Sequence, residues 1–412
     1  MARELWGLAR GPAKPENSRR MNDEASRANQ AALRAMAAGN MAAARAELEA
    51  AVSRHRGDLR LWLNLAVVRR QTRDIDGAFG ALREALAIDN RNFPALLMQA
   101  ALLNKLGRSQ DAATAYGIAL VQAPPDSELD APTRQAVIRA REVHSAHIAR
   151  LGDYVRDHVG AARDALSGAE KKRLEAFIDT TLRIRKRYRQ EPMEFGYPGL
   201  PDIEFYERDE FPWLPELEAA TPAIQRELAR ILVEDEAGFS PYIHYDDHLP
   251  LDQWRELNKS PRWTAFHFYD KGREIADRCA RAPATMDAVR RLPQAVVDLR
   301  SPTAMFSVLK PKTRIPPHTG IANFRLVVHL PLVLPGDCGF RVGGETREWS
   351  MGEAWVFDDT IEHEAWNDSD EIRIILICDI WSPRLSPAER EAIRAVIAAT
   401  DAFRGAAPGA QI

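Results

Sequence analysis

Two short segments, Pro317-His318-Thr319-Gly320 and Phe357-Asp358-Asp359-Thr360-Ile361-Glu362-His363-Glu364, sit inside the stretch 306–383 and decide how it is read. Between and beyond their histidines run apolar segments dense in β-branched and aromatic residues, at 324–334, 354–357 and 372–381. Such composition predicts strands. Pro335-Gly336-Asp337 and Gly343-Gly344-Glu345 punctuate them as turns. Several short strands at tight spacing imply a sandwich or barrel, not a parallel βαβ sheet. Both histidines then stand at strand ends facing a common interior.

The chain around this stretch has 412 residues, enough for two or three domains, and its 45% hydrophobic and 28% charged content is that of a protein with a sizeable core. A net charge of -3 without a long basic block gives no electrostatic basis for capturing nucleic acid or an anionic membrane. Cys279, Cys338 and Cys378 are sparse, odd in number and without paired metal spacing, which implies buried thiols in a reducing compartment. Residues 1–20 carry no continuous apolar run, and no window elsewhere approaches the roughly 20 apolar residues of a spanning helix. The expectation is a cytoplasmic protein with no membrane anchor.

The first third is periodic. Stepping by 34 residues aligns Ala32, Ala66 and Ala100; Ala44, Ala78 and Ala112; Leu48, Leu82 and Tyr116; and Ala51, Ala85 and Ala119. Small residues are needed where paired helices approach closely, and larger ones where a pair must reach the next. Gly39 and Gly107 fall at the turns within a pair. The pattern resembles three tetratricopeptide repeats, whose arrays capture partners or brace a neighbouring domain.

Helical spacing continues through 127–189, until Tyr197-Pro198-Gly199-Leu200-Pro201 and Phe211-Pro212-Trp213-Leu214-Pro215 change the composition to turns and aromatics. The resulting division is an amino-terminal tail at 1–21, repeats at 22–126, a helical extension at 127–189, a β domain at 190–395 and a tail at 396–412. Within the β domain, 221–234 reads as a helix with Thr221 as N-cap and Pro222 in its first turn, and about 271–292 as a second helix. Trp254, Trp263, Phe266, Phe268 and Tyr269 read mainly as core. His244 and His248 have a helical metal spacing, but Pro241 and Pro250 bracket them too closely for a helix.

Imidazole suits Fe(II), Zn(II) and Cu(II), and His318 with His363 would make a partial coordination shell. In the common facial triad a carboxylate stands two residues after the first histidine, where this chain has Gly320. That glycine either removes iron from consideration or points to a site with two histidines alone. Arg373 is a second marker, because a guanidinium inside an apolar strand needs an anion. Glu371 and Asp379 are the chain's own candidates for that anion.

The segments Ser307-Val308-Leu309, Pro317-His318-Thr319-Gly320, Asn323-Phe324-Arg325-Leu326, His329-Leu330, Arg341-Val342-Gly343, Trp349, Gly352-Glu353, Phe357-Asp358-Asp359, Glu362-His363-Glu364, Trp366-Asn367, Arg373 and Asp379-Ile380-Trp381 resemble, in order and spacing, the aspartyl/asparaginyl β-hydroxylase family. The resemblance covers roughly 197–389, and known members also carry tetratricopeptide repeats ahead of the catalytic domain. It implies a multidomain α and β chain: an α-solenoid followed by a double-stranded β-helix of the cupin or jelly-roll kind. It further implies hydroxylation of an unactivated carbon using Fe(II), 2-oxoglutarate and dioxygen, on substrates that in the family include protein side chains, lipid acyl chains and carrier-tethered amino acids. Without a membrane anchor, the expectation here is an aspartyl/asparaginyl-type side chain in a peptide, protein or carrier-bound substrate.

Carried over residue by residue, the resemblance makes His318 and His363 the metal ligands, and the glycine at 320 then agrees with it. Arg373 would grip the distal carboxylate of 2-oxoglutarate with help from Ser307, and His329 would lie near its metal-side carboxylate. Some members have an arginine where this chain has Val327, so part of the anion-binding shell is missing. No protein base is required of Asp358 or Asp359, and one of them is expected to hold an imidazole N–H. Lys271, Arg273, Arg325 and Arg341 are the cations that could meet an acidic substrate side chain. Two alternatives stand beside this: a zinc cupin of another reaction class, which leaves Arg373 and Ser307 unexplained, and a repeat scaffold with a metabolite-sensing barrel.

Overall fold

The computed structural model describes residues 16–246, 248 and 250–404. It divides into two compact units, Met1–Leu166 and Ser167–Ile412.

In the first unit the helices come in antiparallel pairs: α1 (Glu16–Ala37) with α2 (Met41–Arg54), α3 (Leu59–Gln71) with α4 (Ile75–Ile88), and α5 (Phe93–Lys105) with α6 (Ser109–Val121). The second helices begin at Met41, Ile75 and Ser109, each 34 residues after the last. All twelve residues of the four sequence columns are buried, the least so being Tyr116 at 2% exposure. The alanines let paired helices pack closely, and Leu48, Leu82 and Tyr116 fill the space between pairs. Asn40 and Asp74 cap α2 and α4 through side-chain acceptors, whereas Arg108, at the matching place before α6, provides none. Gly39, Arg73 and Gly107 occupy equivalent turns with φ of 76°, 64° and 73°. α7 (Ala131–His158) packs on α6 and is followed by α8 (Gly160–Asp164).

The second unit begins at Ser167, so the extension expected at 127–189 is shared between the units. Ser167 opens α9 (Gly168–Thr181) with a reciprocal capping box to Glu170. Beyond it, Arg185 pairs with Glu204, Gln190 bridges to Ile361 and Phe195 to Ala322, which stitches this segment onto the strands. At the other end, α14 (Pro387–Arg404) runs through 396–404, the first part of the expected tail at 396–412. Its Ile393 and Ile397 pack with Phe324 and Trp381, and its Asp401 accepts from Arg300 Nη2 at 2.7 Å. Residues 1–15 and 405–412, which belonged to the two expected tails, lie outside the described residues.

Two further expectations are corrected. α11 does run Thr221–Glu234, but its cap is Ala220 and the Thr221 hydroxyl is buried without a partner. The cause is α10 (Leu214–Ala219), which leads into α11 through helical backbone at Ala220 and leaves no extended residue for a side-chain cap. The helix expected over 271–292 is instead a hairpin, β3 (Tyr269–Asp270) and β4 (Arg273–Glu274), followed by α12 (Ala276–Arg281) and α13 (Pro283–Arg290). Lys271 and Gly272, with φ of 49° and 74°, make the two-residue turn, and Pro283 starts a new helix. The carboxylate of Glu227 on α11 caps α13 by accepting from the backbone of Ala284 and Thr285 at 2.7 and 2.8 Å.

The remaining strands form two antiparallel sheets. The larger has six, in the order β1 (Ser240–Pro241), β2 (Trp263–His267), β5 (Ala304–Leu309), β12 (Arg373–Trp381), β7 (Arg325–Val333) and β10 (Trp355–Phe357). The smaller has four, in the order β6 (Thr313–His318), β11 (His363–Asn367), β8 (Cys338–Val342) and β9 (Glu345–Arg347). Together they make the double-stranded β-helix. Alternation sorts each strand of the larger sheet. Leu326, Val328 and Leu330 of β7 and Ile374, Leu376 and Cys378 of β12 pack with α10, α11 and α13. Val327 and Ile375 turn instead to the interior shared with the smaller sheet, and so, by parity, do Arg325, His329, Arg373, Asp379 and Ser307.

Arg73 is the one non-glycine at its turn position. Arg73→Gly is expected to stabilise the repeats by about 0.5–1 kcal/mol, since a left-handed side-chain residue costs roughly 1–2 kcal/mol and glycine's own flexibility takes part of that back. Helical circular dichroism against urea checks this. An unchanged or lowered midpoint contradicts the strain.

Candidate metal and anion site

β6 is an edge strand and carries a bulge. Its partners on β11 run Asn367↔Thr313, Trp366↔Arg314, Ala365↔Ile315 and then His363↔His318, so the register shifts between Ala365 and His363. Pro316 and Pro317 fill the irregularity, a place that tolerates residues lacking an N–H. Thr313 and Ile315 are buried, and an unbroken alternation would turn His318 away from them. The bulge resets parity and brings it onto the face of His363.

The imidazole centroids are 4.0 Å apart, with ring planes at 50°. Each ring uses the same local device: His318 Nδ1 lies 2.8 Å from the Pro316 carbonyl and His363 Nδ1 3.1 Å from the Ile361 carbonyl. A carbonyl can only accept, so both Nδ1 atoms carry the proton and both Nε2 lone pairs are left for a ligand. The expectation that an aspartate holds an imidazole is therefore replaced by these two backbone contacts. Burial, with the neighbouring His363 ring adding to it, pushes His318 down to about 3, and burial pushes His363 down to about 4. Both rings stay in the neutral form that metal binding requires. Among the described residues no third His, Cys, Asp or Glu joins them in ligating position.

Gly320 explains how the two-histidine arrangement is kept. A Cβ there would come within 2.2 Å of Asp359 Oδ2. The space a facial-triad carboxylate would use is filled by Asp359, and Asp359 is itself committed, accepting from Arg325 Nη2 at 3.0 Å. Asp358 belongs to a different lock: buried completely, it accepts from Thr360 N and Oγ1 at 2.9 and 2.6 Å and from Gln190, and burial pushes it up to about 7. Gln190 in turn accepts from Asn323 Nδ2 at 2.9 Å, tying the 190–197 segment under the histidine turn.

Arg373 stands 2% exposed, and among the described residues neither Glu371, Asp379 nor any other carboxylate forms an ion pair with it. Burial pulls its guanidinium down to about 10. The Trp349 ring lies 5.1 Å from its Cζ. Ser307, fully buried, is its diagonal neighbour on β5, since Arg373 faces Leu309 and Ile375 faces Ser307. The Ser307 hydroxyl oxygen accepts from Trp263 Nε1 at 3.1 Å, which leaves its own O–H free to donate. Arg373 Nε, Trp349 Nε1, Trp355 Nε1 and His329 Nδ1 are all buried without a partner. His329 sits between the rings of Phe357 and Phe340 at 4.7 and 5.0 Å. Burial, then the Arg373 charge, holds it neutral. This part of the interior presents N–H groups and one cation, with no anion to meet them.

The residues singled out from the sequence thus fall into separate places. His318, His363, His329, Ser307, Arg373 and Arg325 share the interior between the sheets. Lys271 and Arg273 lie on the exposed β3–β4 hairpin. Arg341 is on the outer face of β8, bound to Glu362 at 3.0 Å and to Glu364. Sequence reasoning left Trp254, Trp263 and Trp355 without roles at the site. Trp254 packs edge-on against His318 at 5.0 Å, and nothing in a single sequence separates such a tryptophan from core.

Gly320→Ala puts a methyl group into the Asp359 carboxylate. The expected cost is about 1–3 kcal/mol of stability through overpacking, read as a lower urea midpoint. An unchanged midpoint would show that Asp359 does not fill this space.

Against known proteins, residues 218–383 match the family model described as Aspartyl/Asparaginyl beta-hydroxylase. The chain is 32% identical over 201 residues to the ornithine lipid ester-linked acyl 2-hydroxylase of Rhizobium tropici, a match spanning 48% of this chain and 67% of that protein. It is 36% identical over 149 residues to the human aspartyl/asparaginyl beta-hydroxylase, spanning 36% of this chain but only 19% of the human protein. It is 31% identical over 214 residues to aspartate beta-hydroxylase domain-containing protein 2 of Xenopus tropicalis, spanning 51% of this chain and 55% of that one. With the paired histidines, the glycine between them and Asp359, and the matched segment placed over both sheets, this chain belongs to the aspartyl/asparaginyl β-hydroxylase family.

Proposed function

We propose that this protein is an iron(II)- and 2-oxoglutarate-dependent dioxygenase that hydroxylates an aspartyl/asparaginyl-type side chain in a peptide, protein or carrier-bound substrate. The observation that carries the proposal is Arg373: a buried guanidinium with no carboxylate partner, ringed by N–H groups that also lack acceptors. A site of this kind is costly unless an anion completes it. 2-Oxoglutarate supplies a carboxylate for Arg373 and a keto acid for the metal.

His318 and His363 would hold the iron through Nε2, and their donor set fits it, because both rings are neutral and both Nδ1 protons are already used. When bound there, iron with dioxygen and 2-oxoglutarate supplies the oxidising power that places one oxygen atom on a substrate carbon and the other in succinate, with loss of carbon dioxide. The chain's own work is positioning. Arg373 and Ser307 would fix the distal carboxylate, with the planar fork of the guanidinium setting its orientation. His329, neutral and close to both Arg373 and His363, would serve the carboxylate nearer the metal. Trp254, Phe340 and Phe357 keep the histidines out of bulk water.

The relatives differ in what their names say they act on, a lipid acyl chain in one and aspartyl or asparaginyl residues in the other. Among the described residues no helix is long and apolar enough to cross a membrane. We assign the repeats to substrate capture. We place the protein in the cytoplasm, a reading that three buried free thiols support.

Two measurements follow. His318→Ala and His363→Ala are each expected to abolish Fe(II) binding in anaerobic titration while the fold persists, because two protein ligands leave no reserve; wild-type affinity in either variant would overturn the ligand assignment. Arg373→Ala is expected to weaken 2-oxoglutarate binding about ten- to a hundredfold, the loss of a charge-assisted contact of roughly 1.5–3 kcal/mol. Arg373→Lys should restore only part, since a point charge cannot replace the fork. Calorimetry on the metal-loaded variants decides, and undiminished affinity in Arg373→Ala would make this arginine structural.

A further inference from the structure

Arg373 and Asp379 stand at opposite ends of the inward face of β12. Around Asp379 the interior holds a second group of charges, made by Arg325, Asp359 and Asp379, all at least nine-tenths buried. Asp379 faces Val327 and Trp381 faces Arg325 across β12 and β7, so Asp379 and Arg325 are diagonal neighbours on one face. Arg325 Nη2 donates to Asp359 Oδ2 at 3.0 Å, and Asp379 Oδ1 accepts from Thr303 N at 2.9 Å. Three atoms remain buried without partners: Arg325 Nε, Asp359 Oδ1 and Asp379 Oδ2. Asp359 also lies against Gly320, two residues beyond His318, which puts the group beside the histidine pair. The inward neighbours Met305, Val327 and Ile377 carry no charge. Lys271, Arg273 and Arg341 are elsewhere, so Arg325 is the cation here and it is already engaged.

We propose that Arg325, Asp359 and Asp379 form the subsite for the substrate side chain and that this subsite selects a primary carboxamide over a carboxylate or an amine. The inference rests on the reaction proposed for the two histidines. A primary carboxamide brings a carbonyl acceptor and two N–H donors, and the subsite offers the complement, one unused N–H and two unused carboxylate oxygens. A substrate carboxylate would accept from Arg325 Nε but bring a third carboxyl group against Asp359 and Asp379, where burial already pushes Asp379 up to about 7. An ammonium group would satisfy the oxygens and leave the guanidinium N–H buried and unmet. Either mismatch should cost at least about tenfold in affinity.

The test uses the full-length protein loaded with Mn(II) and 2-oxoglutarate without oxygen, titrated with three acetylated, amidated peptides that differ only in a central asparagine, aspartate or lysine. The asparagine peptide is expected to bind at least about tenfold more tightly than the other two. Asp379→Asn, which keeps the Oδ1 acceptor for Thr303, should shift the asparagine-to-aspartate ratio towards aspartate by about tenfold. Absence of binding by the asparagine peptide, tighter binding of the aspartate or lysine peptide, or an unaltered ratio in Asp379→Asn overturns the proposal. 2-Oxoglutarate binding is measured in the same series: if it occurs and the carboxamide preference does not, only the subsite assignment fails, whereas its absence overturns the underlying reaction and this inference with it.

Discussion

The constraint on which the catalytic unit depends is the burial of a lone cation. Removing a guanidinium from water costs several kcal/mol even after relaxation, and nothing among the described residues offers Arg373 a carboxylate in return. Its surroundings are indole N–H groups from Trp349 and Trp355, a serine hydroxyl already satisfied as an acceptor, and a histidine held neutral, all of which suit an anion. The apolar residues around these donors, from Phe340 to Ile375, would strengthen their attraction for an anion by excluding water.

The same interior is divided by strand parity into two polar regions with different character. Along the inward face of β12, Arg373 begins a region of unmet donors and Asp379 begins one of mixed charge, with Ile375 and Ile377 between them. The histidine pair belongs to the facing sheet and owes its convergence to the Pro316-Pro317 bulge. A one-residue change in that bulge would return His318 to the outer face. The pairing of the two histidines is thus a consequence of a backbone irregularity on an edge strand, where such irregularities are tolerated.

Much of this was legible in the residues. The repeat columns could be read because a helical pair that must stack on its neighbours repeats its small and large positions at a fixed step, and every one of those residues is buried. Arg373 could be read because a charge in an apolar strand is an anomaly that needs a cause. What could not be read depended on neighbours distant in sequence. Thr221 has the composition of a cap but follows a helix that never breaks. Lys271 resembles a helix start, yet the following glycine takes a left-handed turn that closes a hairpin. The carboxylates of Asp358 and Asp359 are adjacent in sequence and go to different partners, Gln190 and Arg325, which only the packing of the 190–197 segment beneath the histidine turn separates.

The central claim is that the interior is built for a dianion reaching from the two histidines to Arg373. The most direct measurement is anaerobic calorimetry of the Mn(II)-loaded protein with 2-oxoglutarate and with 2-oxobutanoate, which keeps the metal-binding keto acid and lacks the distal carboxylate. The expected result is metal-dependent binding of 2-oxoglutarate at least about tenfold tighter than that of 2-oxobutanoate, the worth of one charge-assisted contact. Equal affinities, or binding of 2-oxoglutarate that does not depend on the metal, would contradict it.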